Sequence, residues 1–363
     1  MIDVREIDVF EYKGNDTYNF IALLDVWESF EVTYNFNSWD EFQLNVPYRL
    51  DQAYYYRANN VLRIANEYFY ITSVQVDSIE HGFVVKGRSL FGHISDRMIM
   101  SESTNYYNQY PEDIITTMLN NEIINPSDTK RKMLQLSLSS TPRITSTPIT
   151  MQQGLGQLDD VVTKLMATYD IGVKEVAQSY TGNKIRQTVM LTSGVTTPTV
   201  EISTDLQNLI DPSFKDDQRD QKTFALVAGE GDFPNRVKQI IGDSYADVDR
   251  KEIYVDARDL QKTSENVTMS DTDYAKALIE RGNNKLSEKQ RLLTLSGDID
   301  LKSQLFVLGK DFNIGDNVII KSSEFMMSKV SQITTITYTF DTKGRHVELK
   351  FDHDKYTQFT ITK

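Results

Sequence analysis

Apolar residues alternate with polar residues along much of this chain, and the alternation restricts the possible fold more than any other feature. In segments 30–36 and 42–46 every second residue is aromatic or aliphatic. This period places successive side chains on opposite faces of a β-strand, so each segment is predicted to be a strand with one buried face. Further strands are predicted at 61–64, 68–76 and 82–87, a spacing typical of a small barrel or sandwich. The first 95 residues are therefore predicted to form a β domain.

Between residues 96 and 200 the pattern changes to a helical period. Pro111 suits a first helical turn, the acidic residues that follow it complement the helix dipole, and an apolar stripe runs to Ile123. A second stripe runs from Leu155 to Tyr169 at steps of three and four. Additional strands are predicted at 133–138, 172–178 and 184–192, with Ser/Thr/Pro-rich linkers at 139–148 and 196–198. Residues 96–200 are predicted to form an α+β domain.

Strand patterns return after residue 200. They are predicted at 222–228, 252–255, 292–295, 317–321 and 327–340, and a final hairpin turns at 341–344. Ser270 and Asp273 have the spacing of a helix cap, which predicts a helix inside this region. We assign residues 201–240 and 292–363 to a second β domain and residues 241–291 to a helical or α+β insertion. The order β, α+β, β indicates a duplicated plan in a chain that is α+β and mostly β.

Composition excludes several classes of function. The net charge of −13 argues against a surface that binds the phosphates of nucleic acid. The absence of cysteine excludes disulfides, thiolate metal sites and thiol nucleophiles. The first residues lack a secretory signal, and no apolar run is long enough for a membrane span. Synthesis in a reducing cytoplasm, with no membrane span, is the expectation.

The residues that usually carry chemistry do not form a recognisable set. His81, His93, His346 and His353 lie far apart and lack the helical spacing of a metal pair. The run 229–231, Gly-Glu-Gly, follows a predicted strand but lacks the remaining residues of a phosphate loop, and a simple turn explains it.

The segment Asp311–Asp316 resembles the start of a calcium loop. Its sixth position is Asp316 where such loops have glycine, and its twelfth is Ser322 where they have glutamate. A turn before a strand explains the same residues. We therefore predict no catalytic residue, no cofactor-binding residue, no metal site and no enzymatic activity.

Several segments together resemble the hub proteins of phage tail tips, the family that includes the N-terminal structural module of tail-associated lysins in siphophages and prophages. Each segment alone is weakly specific, but their order along the chain follows that of the family. The segments are Ser29–Val32 with Trp39–Pro47, Lys86–Leu90 with Ile94–Ile99, Ala225–Gly231 with Arg236, and Asp311–Asp316 with Val318.

The resemblance implies two related β-barrel domains with two additional α/β subdomains, assembled as a homotrimer. It implies a ring beneath the distal tail protein that closes or extends the tail tube and organises host attachment in the virion. The implied partners are the distal tail protein, the tail tube and tape-measure proteins, and the receptor-binding proteins of the tail tip. DNA passes through the lumen of such a ring without stable binding.

Two other functions remain open at this point. Many relatives carry a C-terminal peptidase or host-binding module, and a cell-wall endopeptidase is one alternative; the end of this sequence at Lys363 leaves no grounds for it. A module that binds a host saccharide through Tyr-rich loops is the other, and 54–56 and 106–107 are its candidate residues, although such clusters more often form core or subunit contacts.

The excess of acidic residues has a possible function in a tube that passes DNA, because an acidic wall repels phosphates. The clusters that could supply this lining are Asp211, Asp216, Asp217 and Asp220, and Asp243, Asp247 and Asp249. A solvated exterior is the competing interpretation for each cluster.

Overall fold

A computed structural model describes residues 6–77, 82–264, 267–300, 305–323, 327–342 and 344–351. The N-terminal strands are β1 (Ile7–Tyr12), β2 (Tyr18–Leu24), β3 (Ser29–Asn35), β4 (Glu41–Pro47), β5 (Val61–Ile64), β6 (Glu67–Asp77) and β7 (Gly82–Ser89). All five strands predicted in this part of the sequence are present.

The middle of the chain contains short strands and two helices. The strands are β8 (Met98–Ile99), β9 (Thr104–Gln109), β10 (Leu136–Leu138), β11 (Ile149–Gln153), β12 (Gly156–Gln157), β13 (Gly172–Thr181) and β14 (Lys184–Thr192). The helices are α1 (Pro111–Leu119) and α2 (Leu158–Thr168). We refer to residues 96–192 as the middle unit.

The remaining strands belong to the last part of the chain. They are β15 (Thr196–Ser203), β16 (Leu209–Asp217), β17 (Phe224–Ala228), β18 (Lys238–Ile241), β19 (Glu252–Asp256), β20 (Thr263–Ser264), β21 (Val267–Thr268), β22 (Leu292–Ile299), β23 (Asn317–Ser322), β24 (Met327–Asp341) and β25 (Gly344–Phe351). Helix α3 (Asp271–Ser287) begins at the predicted cap, where the Ser270 hydroxyl accepts a hydrogen bond from the backbone N–H of Asp273.

One large sheet, the central sheet, joins the two ends of the chain. Its strand order is β16-β22-β25-β24-β3-β4-β7-β6-β5-β1-β2, and β15 and β23 branch from it at β24. The two halves meet where β3 and β24 pair in antiparallel fashion, with the hydroxyls of Thr33 and Thr337 3.2 Å apart. The chain is mostly β, as predicted. Strand pairs among the described residues do not close into a barrel, so the two-barrel arrangement stays a prediction.

The main core lies on one face of the central sheet and draws residues from both halves. Leu44 and Phe69 from the N-terminal strands, and Phe312 and Leu349 from the C-terminal part, are all at most 1% exposed and belong to one apolar cluster. Because one core serves both sets of strands, burial alone does not divide them. The predicted domain boundaries therefore stay predictions.

The middle unit has its own core and covers one end of the central sheet. Helices α1 and α2 bury Ile115 and Leu165 in a second cluster. A third cluster packs Leu136 and Ile185 of the middle unit against the sheet, in contact with residues such as Val61.

Residues 223–289 pack as a separate layer of α3 against β17, β18 and β19. A Cβ atom at Gly282 would lie 2.2 Å from Ile241 Cδ1 and 2.7 Å from Val227 Cγ2, so only glycine allows this close approach of helix and sheet. The layer also contacts the middle unit, because the side chain of Gln152 exchanges two hydrogen bonds with the backbone of Gln261.

The structure corrects two predictions about local elements. Helix α2 begins at Leu158, so Leu155 lies outside it and is 59% exposed. The predicted linker at 196–198 is wrong, because these residues begin β15, which pairs in parallel with β23. No helix among the described residues has both the length and the apolar character needed to cross a bilayer.

Phe36 joins the three main parts of the molecule. Its ring is 2% exposed and lies against Gly172 and Gly315, where added Cβ atoms would come within 2.1 Å and 2.2 Å of ring carbons. Its backbone N–H donates to the Thr334 carbonyl at 2.9 Å, and its carbonyl accepts from the Val173 N–H at 3.0 Å. The N-terminal strands, the middle unit and the C-terminal strands therefore share this residue.

Candidate functional site

The second face of the central sheet is an extended polar surface that the main core does not use. Residues directly opposite one another in paired strands share a face, so the strand register identifies the members of this surface. We call it the polar face; it consists of Asp298, Glu348, Thr337, Thr33, Glu41 and Arg88 in one row, His346, Thr339, Glu31, Gln43 and Lys86 in the next, and Lys350, Thr335 and Asn35 beside them.

The polar face has nearly balanced charge. It carries four acidic residues, Asp298, Glu348, Glu41 and Glu31, and three basic residues, Lys350, Arg88 and Lys86. Arg88 Nε lies 3.6 Å from Glu41 Oε1, and the Arg88 guanidinium also stacks 4.8 Å from the centre of the Trp39 ring. Threonine, asparagine and glutamine fill most other positions, so the surface suits contact with water and with weakly held molecules.

The same face of the sheet becomes apolar where the middle unit covers it. Tyr70 lies directly opposite Arg88, and Val61 and Phe10 continue the row across β5 and β1. These three side chains are at most 6% exposed and belong to the cluster that contacts Ile185. The polar face therefore ends where the middle unit packs against the central sheet.

Three of the seven aspartates in the predicted acidic clusters form ion pairs with arginine. Asp216 binds Arg291, Asp217 binds Arg219 at the end of β16, and Asp243 lies 3.4 Å from Arg250. Asp211 and Asp247 are exposed. Pairing reduces the local negative potential of both clusters, and their position in a lumen stays a prediction.

The Tyr-rich segments are each partly buried. Tyr56 is 3% exposed and Tyr106 is 6% exposed, so both belong to apolar cores. Tyr54 and Tyr107, at 39% and 37%, are the members that solvent reaches. A saccharide platform would have only one well-exposed ring in each segment.

The histidines do not assemble a metal site within the described residues. His93 stacks on Tyr70 with ring centroids 3.7 Å apart, and its Nδ1 lies 2.8 Å from Asp96 Oδ2. His346 lies on β25, 3.9 Å from Asp341. His81 and His353 lie outside the described residues. No group of three or more His, Asp or Glu side chains suited to an ion occurs in the described part of the chain.

Replacing His93 by alanine is expected to lower the free energy of unfolding by about 1 kcal/mol, because one stacked ring contact and one hydrogen bond are lost. Metal content should not change. Urea unfolding and elemental analysis of purified protein measure the two quantities. Stoichiometric zinc in the wild-type chain, lost in His93→Ala, would contradict this structural role.

The glycine run at 229–231 is held by side chains and is not an open phosphate loop. The Tyr274 hydroxyl accepts from the Glu230 N–H at 2.8 Å, and a Cβ atom at Gly229 would lie 2.3 Å from that hydroxyl. The Arg236 guanidinium donates to the carbonyls of Ala228 and Gly229 and to Asp256. Arg236 therefore fixes this turn, a role that its place in the family pattern did not reveal.

The calcium-like segment is a turn stabilised by its own carboxylates. Asp316 is 8% exposed and accepts hydrogen bonds from the N–H groups of Val195 and Asn313 at 2.9 and 2.8 Å. Asp311 accepts from the Val307 N–H at 2.8 Å. These carboxylates already satisfy backbone donors, as the turn interpretation predicts.

A cluster of buried carboxyl groups lies where β13 of the middle unit meets the central sheet. Burial raises the pKa of Glu67 to about 7. Burial, together with the charges of Glu67 and Asp40, raises the pKa of Glu175 to about 9, and burial holds the pKa of Asp40 well above its usual range. Glu67 Oε2 and Glu175 Oε1 are shielded from solvent and receive no hydrogen bond from the described residues.

These carboxyls are expected to make the protein less stable at alkaline pH. When folding raises the pKa of a carboxyl group, that group contributes its full stabilisation of the folded state at pH values below its pKa in the unfolded chain. The contribution is lost as pH rises through the pKa of the folded state. Stability should fall by several kcal/mol between pH 5 and pH 9 through Glu67 and Glu175, because one unit of pKa shift corresponds to about 1.4 kcal/mol. Glu67→Gln combined with Glu175→Gln should flatten this part of the profile, measured by urea unfolding across the range. Parallel profiles for the two proteins would contradict the assignment.

Several solved structures of tail proteins share this fold. The tail protein of Neisseria meningitidis MC58 is 13% identical in sequence and aligns over 96% of both chains with a TM-score of 0.58. The 43 kDa tail protein of prophage MuSo2 from Shewanella oneidensis is 13% identical, with a TM-score of 0.57, over 95% of this chain and 98% of that one. Prophage tail protein gp18 of Listeria monocytogenes EGD-e is 13% identical, with a TM-score of 0.54, over 97% of this chain and 95% of that one.

The fold is therefore that of phage and prophage tail proteins. The sequence also matches the family model described as Siphovirus ReqiPepy6 Gp37-like protein over residues 6–351, and the chain belongs to that family. No curated protein matches the sequence. The resemblance to phage tail proteins is confirmed, and membership of a structural tail-protein family agrees with the prediction that the chain is not an enzyme.

Proposed function

We propose that this chain is the structural hub of a phage or prophage tail tip. Three copies form a ring beneath the distal tail protein that closes or extends the tail tube and organises host attachment. The family match and the shared fold support a tail component, and the polar face is the observation that carries the more specific role. Its width, its balanced charge and its position on the side away from the main core suit the wall of a passage.

The polar face lines the lumen of this ring, through which DNA passes. A wall for DNA must be wetted but must not hold phosphates, because Lys and Arg contacts release counterions and retain the polymer. Each copy contributes one more acidic than basic residue to the polar face, which gives weak repulsion. At a Debye length of about 8 Å in physiological salt, this repulsion acts only on DNA close to the wall.

The proposed position of the ring at the tail tip also determines its other partners. The ring contacts the distal tail protein and the tail tube on one side, and the tape-measure protein and receptor-binding proteins at the tip. Two barrels in each of three subunits would present six similar modules, which would match a sixfold neighbour. In this proposal the two barrels are residues 1–95 and residues 201–240 with 292–363, and the two α/β subdomains are residues 96–200 and 241–291.

A density map of assembled tails tests the ring directly. We expect three copies at the tip, with the polar face toward the axis. Particles that carry Glu31→Lys and Glu41→Lys should assemble normally and release DNA more slowly, whereas the matched Glu31→Gln and Glu41→Gln particles should change much less, since they add no positive charge. A different copy number, or a polar face directed outward, would contradict the proposal.

A further inference from the structure

We propose that neighbouring copies of this chain join head to tail through two free edge strands, β2 of one copy and β18 of the next. This interface rests on the ring of the proposed function and specifies which surfaces form it.

Strand β2 is an edge of the central sheet. At its start the Tyr18 N–H donates to the Asn183 carbonyl and the Tyr18 carbonyl accepts from the Tyr180 hydroxyl, so the edge available to a partner begins after Tyr18. Among the described residues it pairs only with β1, and its sequence, YNFIALL, contains neither a charged residue nor proline. Phe20 is 51% exposed and Leu23 is 46% exposed. The register places them opposite Phe10 and Asp8, so both lie on the face away from the main core. A free backbone edge beside exposed apolar side chains is a template for another strand.

The opposite edge of the central sheet has the features that prevent such pairing. Strand β16 contains Pro212 and the charged residues Lys215, Asp216 and Asp217, and its register is irregular between Ile210 and Ser213. Proline, charge and irregular register all discourage the addition of a strand. Strand β15, the end of the branch at β24, also contains a proline, Pro198. Strand β2 lacks these protective features and is therefore the edge we assign to a partner.

Strand β18 offers a second free edge with a matching surface. In the described structure it pairs only with β17. Ile240 and Tyr254 lie on either side of Leu226 in the register, on the face away from α3, and are 54% and 51% exposed. Phe233, beside this face, is 69% exposed. Pairing of β18 with β2 would bring two apolar groups together along a shared row of backbone hydrogen bonds.

The charges beside the two edges are opposite. Asp25 and Glu28 follow β2, are exposed and form no ion pair among the described residues. Lys238 begins β18, is exposed and likewise has no acidic partner there; its ammonium lies 5.3 Å from the Phe233 ring. Complementary charge favours this pairing over contact between two like edges. Since the two surfaces differ, repetition of the contact can close a ring.

Cysteine cross-linking tests the contact, because the chain has no cysteine of its own. A mixture of Leu23→Cys and Ile240→Cys proteins under mild oxidation should give a disulfide-linked pair of chains, and each variant alone should give little. Leu155→Cys, at a residue 59% exposed elsewhere, replaces Leu23→Cys in the control mixture. The inference would be overturned if no mixed disulfide formed, or if the control mixture gave the same yield of linked chains. It would also be overturned if Leu23→Cys chains linked only to one another.

Charge exchange provides an independent measurement. Lys238→Glu, and separately Asp25→Lys with Glu28→Lys, should each weaken self-association about tenfold or more, followed by mass measurement at rising concentration. The protein that combines all three changes should recover most of the loss; failure to recover contradicts the pairing. If the wild-type protein forms a trimer but the mixed cross-link is absent, the proposed interface is wrong and the proposed ring is still supported. If the chain neither trimerises nor cross-links, both the interface and the ring are contradicted.

Discussion

Replacement of Phe36 by alanine is expected to lower the free energy of unfolding by about 3–5 kcal/mol, the usual cost of removing a fully buried aromatic ring. The loss should be at the upper end of this range because the ring fills a site shared by three parts of the molecule. Gly172 and Gly315 approach it too closely to carry side chains, so they offer no atoms to refill the cavity.

Urea unfolding measures this loss, and limited proteolysis shows where it acts. We expect new cleavage between the middle unit and the central sheet in Phe36→Ala. Phe36→Leu is the matched control and should cost about half as much, since it retains most of the apolar volume. A loss below about 1 kcal/mol for Phe36→Ala would show that the junction does not depend on this ring.

Replacement of Arg236 by methionine is expected to destabilise the layer of α3 and β17–β19 by about 3 kcal/mol or more. The Arg236 side chain is 3% exposed, and its removal leaves the carbonyls of Ala228 and Gly229 without their guanidinium donors. The Ala228 carbonyl keeps the Ala257 N–H as a donor at 2.9 Å, but the Gly229 carbonyl loses its guanidinium donor, and this loss and that of the ion pair both lower stability.

Arg258 supplies the matched control because it binds the same carboxylate. Its guanidinium pairs with Asp256 Oδ2 at 2.6 Å, but its side chain is 68% exposed. Arg258→Met should therefore cost less than about 1 kcal/mol. Hydrogen exchange at β17 and β19 would locate the effect of Arg236→Met; equal losses in the two variants would show that burial of Arg236 is unimportant.

Sequence patterns predicted the elements whose surroundings are uniform along their length. Strands β3, β4 and β14 each have one buried face, so a two-residue period was visible in them. Strand β2 was not predicted, because a bulge opposite Val9 and Phe10 shifts its period and places Ile21 and Ala22 together against the core. Strand β15 was taken for a linker because its Thr- and Pro-containing start resembles a loop.

The candidate site was predicted only in outline. Polar residues such as Thr33, Glu41 and Lys86 occupy alternate positions of predicted strands, and that signal could have identified them as one face. The sequence could not show that β3 pairs with β24, about 300 residues away, because register between distant strands depends on packing across the whole sheet. The roles of Phe36 and Arg236 depend on the same long-range contacts.

Residue types and local patterns were enough to show that the chain is mostly β, that it lacks cysteine and the usual catalytic motifs, and that several of its segments, in order, resemble those of phage tail proteins. These properties follow from residue type, short-range period and collinear order. The folded structure was needed to show that both ends of the chain share one sheet and one core, that three of the clustered aspartates pair with arginine, and that most of β2 is an edge without a neighbouring strand. Such features arise from contacts between residues far apart in sequence, whose free energy is realised only when the whole sheet has assembled.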